Sequence, residues 1–281
     1  MIYPMLAHKY APKKVTYPCF VQPKLNGVRG IFLPQGQFQS RGGETWNAPV
    51  VQHALSSLTA LKFFLDGEFY KHGMSLQNIN SRIAVTRNAA HAESNLIQFC
   101  VFDVMLDVPF YKRALVLNKL KERLKDCDAV RIVKTREIVS EAEGEYFYNQ
   151  WKNIEGFEGM MYRDANAVYG FKSRCGNQDN RWNYLLKRKE MVDMEATIVE
   201  FNEMVCGKTG DLKGTLGSFE LKTPLGVQFS AGSGLTDDLR RAFWSAGIDA
   251  MFGVKVRIHY EMLSDDGKPL KPIIDLVDFI P

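Results

Sequence analysis

The sequence predicts an α+β protein in two parts, a mixed α and β part over residues 1–190 followed by a small β-barrel over 191–281. Three observations predict it. The 281 residues are 46% apolar, enough for one large hydrophobic core or two ordinary ones. Periodicity changes after Lys189, from intermixed strand-like and helix-like runs to short strand-like segments broken by one helix. The charge changes sign at the same place: residues 1–190 carry 27 Lys and Arg against 18 Asp and Glu, whereas 191–281 carry 9 against 14. The overall charge of +4 hides this split, and a basic front part suggests a face turned toward phosphate.

In the front part, strands are expected at 19–25 (FVQPKL with its preceding Cys), 63–70 (FFLDGEFY), 96–106 (LIQFCVFDVML) and 159–163 (GMMYR). Helices are expected around Pro49–Leu61, around Tyr111–Leu124 with Leu115, Leu117, Leu120 and Leu124 as its apolar stripe, and from Ser140, where SEAE has the spacing of a capping box. In the rear part, strands are expected at 196–201, 217–222, 226–231 and 254–260, with a helix capped by Thr236. Several short strands and one helix in this length fit a barrel of the OB type. The densest apolar window, Leu96–Leu106, is interrupted by Gln98 and Asp103 and is too short for a membrane helix. The start MIYPMLAHKY lacks the pattern of a signal peptide, and the five cysteines have no zinc-ligand spacing; a soluble cytoplasmic protein with reduced thiols is expected.

The chemistry-bearing residues begin with KLNGVRG at 24–30, where Asn26-Gly27 reads as a hairpin turn flanked by Lys24 and Arg29. Downstream stand DGE at 66–68, a strand ending in Phe102-Asp103, Glu158-Gly159, and LLKRK at 185–189. Strand alternation puts Lys187 and Lys189 on one face. A turn lysine, an arginine, strand-borne acids and a lysine pair make a pocket for a nucleotide and a divalent metal.

This order resembles the covalent nucleotidyltransferases: ATP-dependent DNA ligases, RNA ligases and mRNA capping enzymes. Their first motif, KxDGxR, is matched by Lys24, Gly27 and Arg29; PMLA at 4–7, SRGG at 40–43, FLDGEF at 64–69, VFD at 101–103, EGMMYR at 158–163 and LLKRK at 185–189 follow in family order. KGTLGSFEL at 213–221 and FSAGSGLTDDLR at 229–240 resemble the OB domain of small phage and bacterial DNA ligases. The resemblance implies an adenylation domain of ATP-grasp-like antiparallel sheets with helices over 1–190, and an OB-fold domain over 191–281. It implies an ATP-dependent DNA ligase that seals nicks in duplex DNA during replication, repair or recombination, working as a monomer in a bacterial or phage-infected cytoplasm without a membrane partner.

By the same resemblance Lys24 takes AMP covalently from ATP, and Arg29, Lys187 and Lys189 neutralise phosphoryl charge. Glu68 and Glu158 hold Mg²⁺, with Mn²⁺ as a substitute. Phe102 stacks on adenine, and Arg41 lies near the nucleotide or the nick phosphate. On their own residues these positions have plainer readings: Phe102 as core, Asp66 as a turn residue, Asp103 as a brace of the pocket backbone, Arg41 as a loop cation. Pro23, which offers a carbonyl and no amide proton just before the lysine, is compatible with adenine, with Gln22 alongside it. Lys271 is the candidate for the C-terminal basic motif, which is thinly matched, and a solvated tail lysine is its alternative. Lys172, Arg174 and Arg181, with Lys187–Lys189, form a basic stretch for DNA phosphates. Asn26 stands where the family has Asp, which suggests a tuned site. The competing readings are an RNA ligase or capping guanylyltransferase, and a nick-binding protein without transfer activity.

Overall fold

The computed structural model describes residues 3–170 and 181–275, and the chain divides into two compact units, Met1–Lys189 and Glu190–Pro281. The strands of the first unit are β1 (Leu6–Lys9), β2 (Cys19–Lys24), β3 (Val28–Leu33), β4 (Gln37–Ser40), β5 (Leu65–Tyr70), β6 (Gln98–Val104), β7 (Val130–Ile132), β8 (Arg136–Ile138), β9 (Gly159–Asp164) and β10 (Arg181–Lys189). Its helices are α1 (Ala48–Leu58), α2 (Leu76–Ile83), α3 (Phe110–Arg123) and α4 (Glu141–Asn149).

These strands form two five-stranded sheets, ordered β1-β10-β9-β2-β8 and β4-β3-β5-β6-β7. Pairing is antiparallel except for β1 with β10 and β6 with β7. In the second sheet, alternation sends Phe32, Leu65, Phe69, Phe99 and Val101 into the core shared with α1, α2 and α3, and turns Arg29, Asp66, Glu68 and Phe102 to the other side. In the first sheet, Cys19, Val21, Met160, Tyr162 and Leu186 pack with Tyr148 of α4 and Trp151, leaving Gln22, Lys24, Arg163, Lys187 and Lys189 on the opposite face. A smaller apolar cluster, with Ile31 and Leu33 of β3 and Leu185 of β10, joins the two sheets.

Two expectations are corrected. Asn26-Gly27 is not a hairpin: β2 and β3 belong to different sheets, and the segment between them carries the chain across. Gly27 is needed for close approach, because a Cβ there would lie 2.2 Å from the Phe69 carbonyl oxygen. In α3 the buried face is Phe110, Arg113, Ala114, Leu117 and Leu120; Leu115, two residues from Leu117 and so on the far side of the helix, is 59% exposed. At α4 the Ser140 half of the capping box forms, accepting from the Glu143 amide, while Glu143 reaches back one residue beyond the cap to accept from the Val139 amide at 2.8 Å. Helix α2, eight residues capped by Ser75, buries only Ile79 and Ile83 and is not among the helices expected from the sequence.

Arg113 is buried and bidentate to Asp103 at 2.7 and 3.2 Å, and it donates to the carbonyls of Val108 and Ala167. Removing it takes one of two arginines from a fully buried carboxylate and leaves the Val108 and Ala167 carbonyls without their donor, so Arg113→Met is expected to lower unfolding free energy by about 3 kcal/mol. Lys134→Ala, which breaks the exposed pair with Glu155, is expected to cost less than about 1 kcal/mol. Urea unfolding followed by tryptophan fluorescence checks both.

The second unit comprises β11 (Val192–Val205), β12 (Leu212–Lys222), β13 (Gln228–Ala231), α5 (Asp237–Ala246), β14 (Lys255–Tyr260) and β15 (Ile273–Asp275), with sheet order β13-β12-β11-β14-β15. Among the described residues its two edges meet at one bridge, Ser233 to Ile273, so the OB-type sheet curls round on itself. Ile198, Phe219, Leu221, Val256 and Ile258 fill the inside, under α5, whose Thr236 cap accepts from the Leu239 amide. On β14, His259 sits between Asp193 of β11 at 2.5 Å and Asp275 of β15 at 3.0 Å. Hydrogen bonding to Asp193, joined by Asp275 and opposed by partial desolvation, raises its pKa. The stabilisation is therefore complete below the ordinary histidine value of about 6.5 and is lost as pH rises through the elevated folded value. His259→Gln is expected to lower Tm more at pH 6 than at pH 9; an equal deficit at both, by calorimetry, counts against this linkage.

Candidate active site

Strand register assembles the site. Lys24, the last residue of β2, pairs with Gly159 of β9, which pairs with Lys189 of β10. Two residues away the same row reads Gln22, Met161, Lys187. Side-chain alternation puts all of these on the face toward the second sheet. A Cβ on Gly159 would lie 2.1 Å from the Arg188 carbonyl oxygen, so glycine is what lets β9 and β10 run this close. Just ahead of it, the Glu158 amide donates to the Lys24 carbonyl at 3.1 Å, fixing the glutamate beside the lysine. The Lys24 ammonium is paired with Glu158 Oε2 and also donates to the Leu25 carbonyl at 3.2 Å; Lys189 Nζ lies 3.5 Å from Glu158 Oε1. Glu158 thus sits between two lysines.

The second sheet supplies the facing wall. Glu68 accepts from the Gly27 amide at 2.7 Å. Burial raises its pKa, opposed by the Lys24 charge, then by the Gly27 amide and Arg29, while the nearby Glu158 charge adds to the rise. Arg29 is bidentate to Asp66, 2.6 Å on both oxygens, and donates to the Met5 carbonyl. Asp66 is therefore no turn residue: it is buried within β5 and also accepts from the Tyr169 hydroxyl at 2.5 Å. Asp103 is likewise buried, between Arg113 and Arg163.

Phe102 is half-buried, with the Arg29 guanidinium 4.8 Å and the Arg163 guanidinium 5.4 Å from its ring centroid. Gln22 is buried, its amide nitrogen donating to the Phe102 carbonyl and to Thr135, its oxygen accepting from Arg163. The structure thus brings Gln22, Lys24, Arg29, Glu68, Phe102, Glu158, Lys187 and Lys189 to the space between the sheets. Arg41 is exposed in the turn after β4, without an ion-pair partner among the described residues. Lys271, in the second unit, pairs with Glu261 at 2.6 Å. Lys172 and Arg174 lie outside the described residues, as does the side chain of Arg181.

Sequence reasoning missed Arg113, Arg163, Tyr169 and Thr135. Arg163 was within reach, since alternation from Gly159 turns it inward on β9. Arg113 falls on the apolar face of α3, where an arginine without a buried acid would be excluded.

Chemically, the arrangement offers an amine, further cations for phosphoryl oxygens, and an aromatic ring for a base. Glu68 and Glu158 supply hard oxygen donors facing a common space, which fits a Mg²⁺ that takes few protein ligands and completes its shell with water and phosphate. No cluster of three or more potential metal-binding side chains occurs among the described residues. No described helix is long and apolar enough to cross a membrane.

Known proteins place these features in a family. The family model described as ATP dependent DNA ligase domain matches residues 4–182, and that of the DNA ligase OB-like domain matches 207–277. No curated protein sequence matches the chain. Among solved structures, a Lig E DNA ligase is 24% identical with a TM-score of 0.77, covering 97% of this chain and 98% of its own. Chlorella virus DNA ligase-adenylate is 25% identical with a TM-score of 0.53, covering 97% and 96%. The bacteriophage T7 ATP-dependent DNA ligase, in complex with ATP, is 15% identical with a TM-score of 0.53, covering 97% of each chain, and speaks for the fold alone. With the ligase-domain model spanning well over half of its residues and the OB-like model following in order, this chain belongs to the ATP-dependent DNA ligases.

Proposed function

We propose that Lys24 is the nucleophile of a nick-sealing reaction in three transfers. Its Nζ attacks the α-phosphorus of ATP; a phosphoramidate N–P bond forms, the bond to pyrophosphate breaks, and the amine loses its proton. The nick 5′-phosphate then displaces lysine and takes the AMP, and the 3′-hydroxyl displaces AMP to form the phosphodiester. The observation that carries this reading is the Glu158 carboxylate shared by Lys24 and Lys189, with Glu68, Arg29 and Phe102 on the wall of the opposite sheet. The Lys24–Glu158 pair must part before Nζ can approach phosphorus. Lys187 and Lys189 stand on the same face as Lys24 and neutralise charge on the phosphoryl oxygens in flight. Glu68 and Glu158 would hold a divalent metal, Mg²⁺ by their donor chemistry, which supplies further neutralisation when bound. Phe102 offers its ring to adenine, and the basic front part holds the DNA backbone.

Incubation with α-labelled ATP and Mg²⁺, followed by denaturing electrophoresis and addition of a nicked DNA duplex, tests the reading. Label retained by the wild type, absent from Lys24→Ala and discharged as the nick closes is the expected result. Lys189→Ala is expected to slow labelling by about 10²–10³-fold. No label on deadenylylated wild type would favour a non-catalytic nick binder. Equal labelling by GTP, or discharge on RNA nicks alone, would favour a capping enzyme or an RNA ligase.

A further inference from the structure

Arg163 is 4% exposed, on the inward face of β9, and has no opening toward the nucleotide space of its own. Beside the Phe110 ring of α3, 4.9 Å from the guanidinium, its contacts lead to one residue of the opposite sheet. Nη1 donates to Asp103 at 2.6 Å, directly after Phe102 in the chain. Nε donates to Gln22 Oε1 at 2.6 Å, and the Gln22 amide nitrogen donates to the Phe102 carbonyl at 2.9 Å. The guanidinium lies over the Phe102 ring. Because an arginine nitrogen can only donate, the Gln22 atom facing it must be oxygen, and the amide nitrogen must face Phe102 and Thr135. Thr135 completes the chain by donating to the Val133 carbonyl at 3.2 Å while accepting from Gln22. The two hydrogens of the Gln22 amide thus have one acceptor each, and the orientation of the amide is settled.

We propose that Arg163 is a positioning residue for nucleotide capture, acting through Gln22 and Asp103 to hold Phe102 at the height and tilt at which its ring receives adenine. The proposal rests on the reading that Phe102 stacks on the base. Phe102 is gripped at its carbonyl through Gln22, at the next residue through Asp103, and at its ring by the guanidinium plane. All three attachments start from the first sheet and end on the second. Arg163 therefore fixes the gap between the sheets at the one place where a flat base must enter. A stacking platform displaced by an ångström weakens base binding while leaving Lys24, Glu158 and Lys189, which hang from other strand ends, in place.

Lysine assays as a function of ATP concentration separate this from a merely structural role. Arg163→Lys keeps the charge but loses the planar fork that reaches Gln22 and Asp103 together. It is expected to raise the KM for ATP in Lys24 adenylylation about tenfold, with the maximal rate held within about twofold. Gln22→Met, which removes the splint to the Phe102 carbonyl, is expected to do the same. Phe102→Leu alone should raise KM by at least as much, and Arg163→Lys combined with Phe102→Leu should be no worse than Phe102→Leu. If Phe102→Leu raises KM but the Arg163 and Gln22 variants leave it unchanged, lower the maximal rate instead, or multiply with Phe102→Leu, the positioning role is overturned and stacking stands. If Phe102→Leu leaves KM unchanged, the stacking reading fails and this proposal with it. Should Arg163→Lys not fold, Gln22→Met decides by the same criteria.

Discussion

Asp66 and Asp103 are direct cross-strand partners on β5 and β6, and both are fully buried. Two carboxylates in that position repel each other and are far from water, an arrangement that unfolds a sheet unless each charge is answered. Here the answer comes from three arginines on three different elements. Arg29 reaches Asp66 from β3, Arg113 reaches Asp103 from α3, and Arg163 reaches Asp103 from β9 in the other sheet. Tyr169 adds a hydroxyl to Asp66 and the Val104 amide donates to Asp103. Neutralising two neighbouring acids thus obliges a helix and both sheets to meet at one point, and the space for a nucleotide is defined by where they meet.

The same constraint sorts the charges of the first unit. The paired groups around Asp66 and Asp103 have their hydrogen bonds filled by protein; Arg29, although it faces the site, is committed to Asp66 and the Met5 carbonyl. The cations do not show the divide, since Arg29 and Lys24 each keep 20% of their side-chain exposure; the acids do, with Glu158, between Lys24 and Lys189, at 15% against 1% and 0% for Asp66 and Asp103. A group that still meets water can exchange partners without leaving a bare buried charge; one that does not cannot. The acid paired with the lysine proposed to react is on the wetter side of this divide.

Much of this was legible in the sequence because it is written in period and order. The strands carrying Lys24, Glu68, Phe102 and Lys187–Lys189 stand out by alternation, and the helix caps at Ser140 and Thr236 by short-range chemistry. What escaped depends on partners far along the chain. Asn26-Gly27 has the local chemistry of a hairpin turn, yet the chain crosses to another sheet, because the pairing of β3 with β5 and of β2 with β9 outweighs a two-residue preference. Leu115 counted toward an apolar stripe although helical geometry places it opposite Leu117, and the position that belongs to the stripe is the charged Arg113. A buried arginine looks like a surface residue until its acid, ten positions earlier on β6, is known to face it.

Phosphoryl transfer asks two incompatible things of one set of charges. Some must hold geometry to a fraction of an ångström, and some must let go of one partner to take another. In a uniform environment a single stiffness would serve both badly, since a dry ion pair is too costly to part and a hydrated one too loose to align a ring. The two-sheet arrangement separates them by depth. The deep pairs at Asp66 and Asp103 set where Phe102 and the strand ends lie, and they have no reason to change during turnover. Glu158, at the mouth between two lysines, is the acid whose partners can be redistributed. Its place is set by backbone, through its amide on the Lys24 carbonyl and the glycine that follows it, so the carboxylate is free to change partners while its anchor does not move.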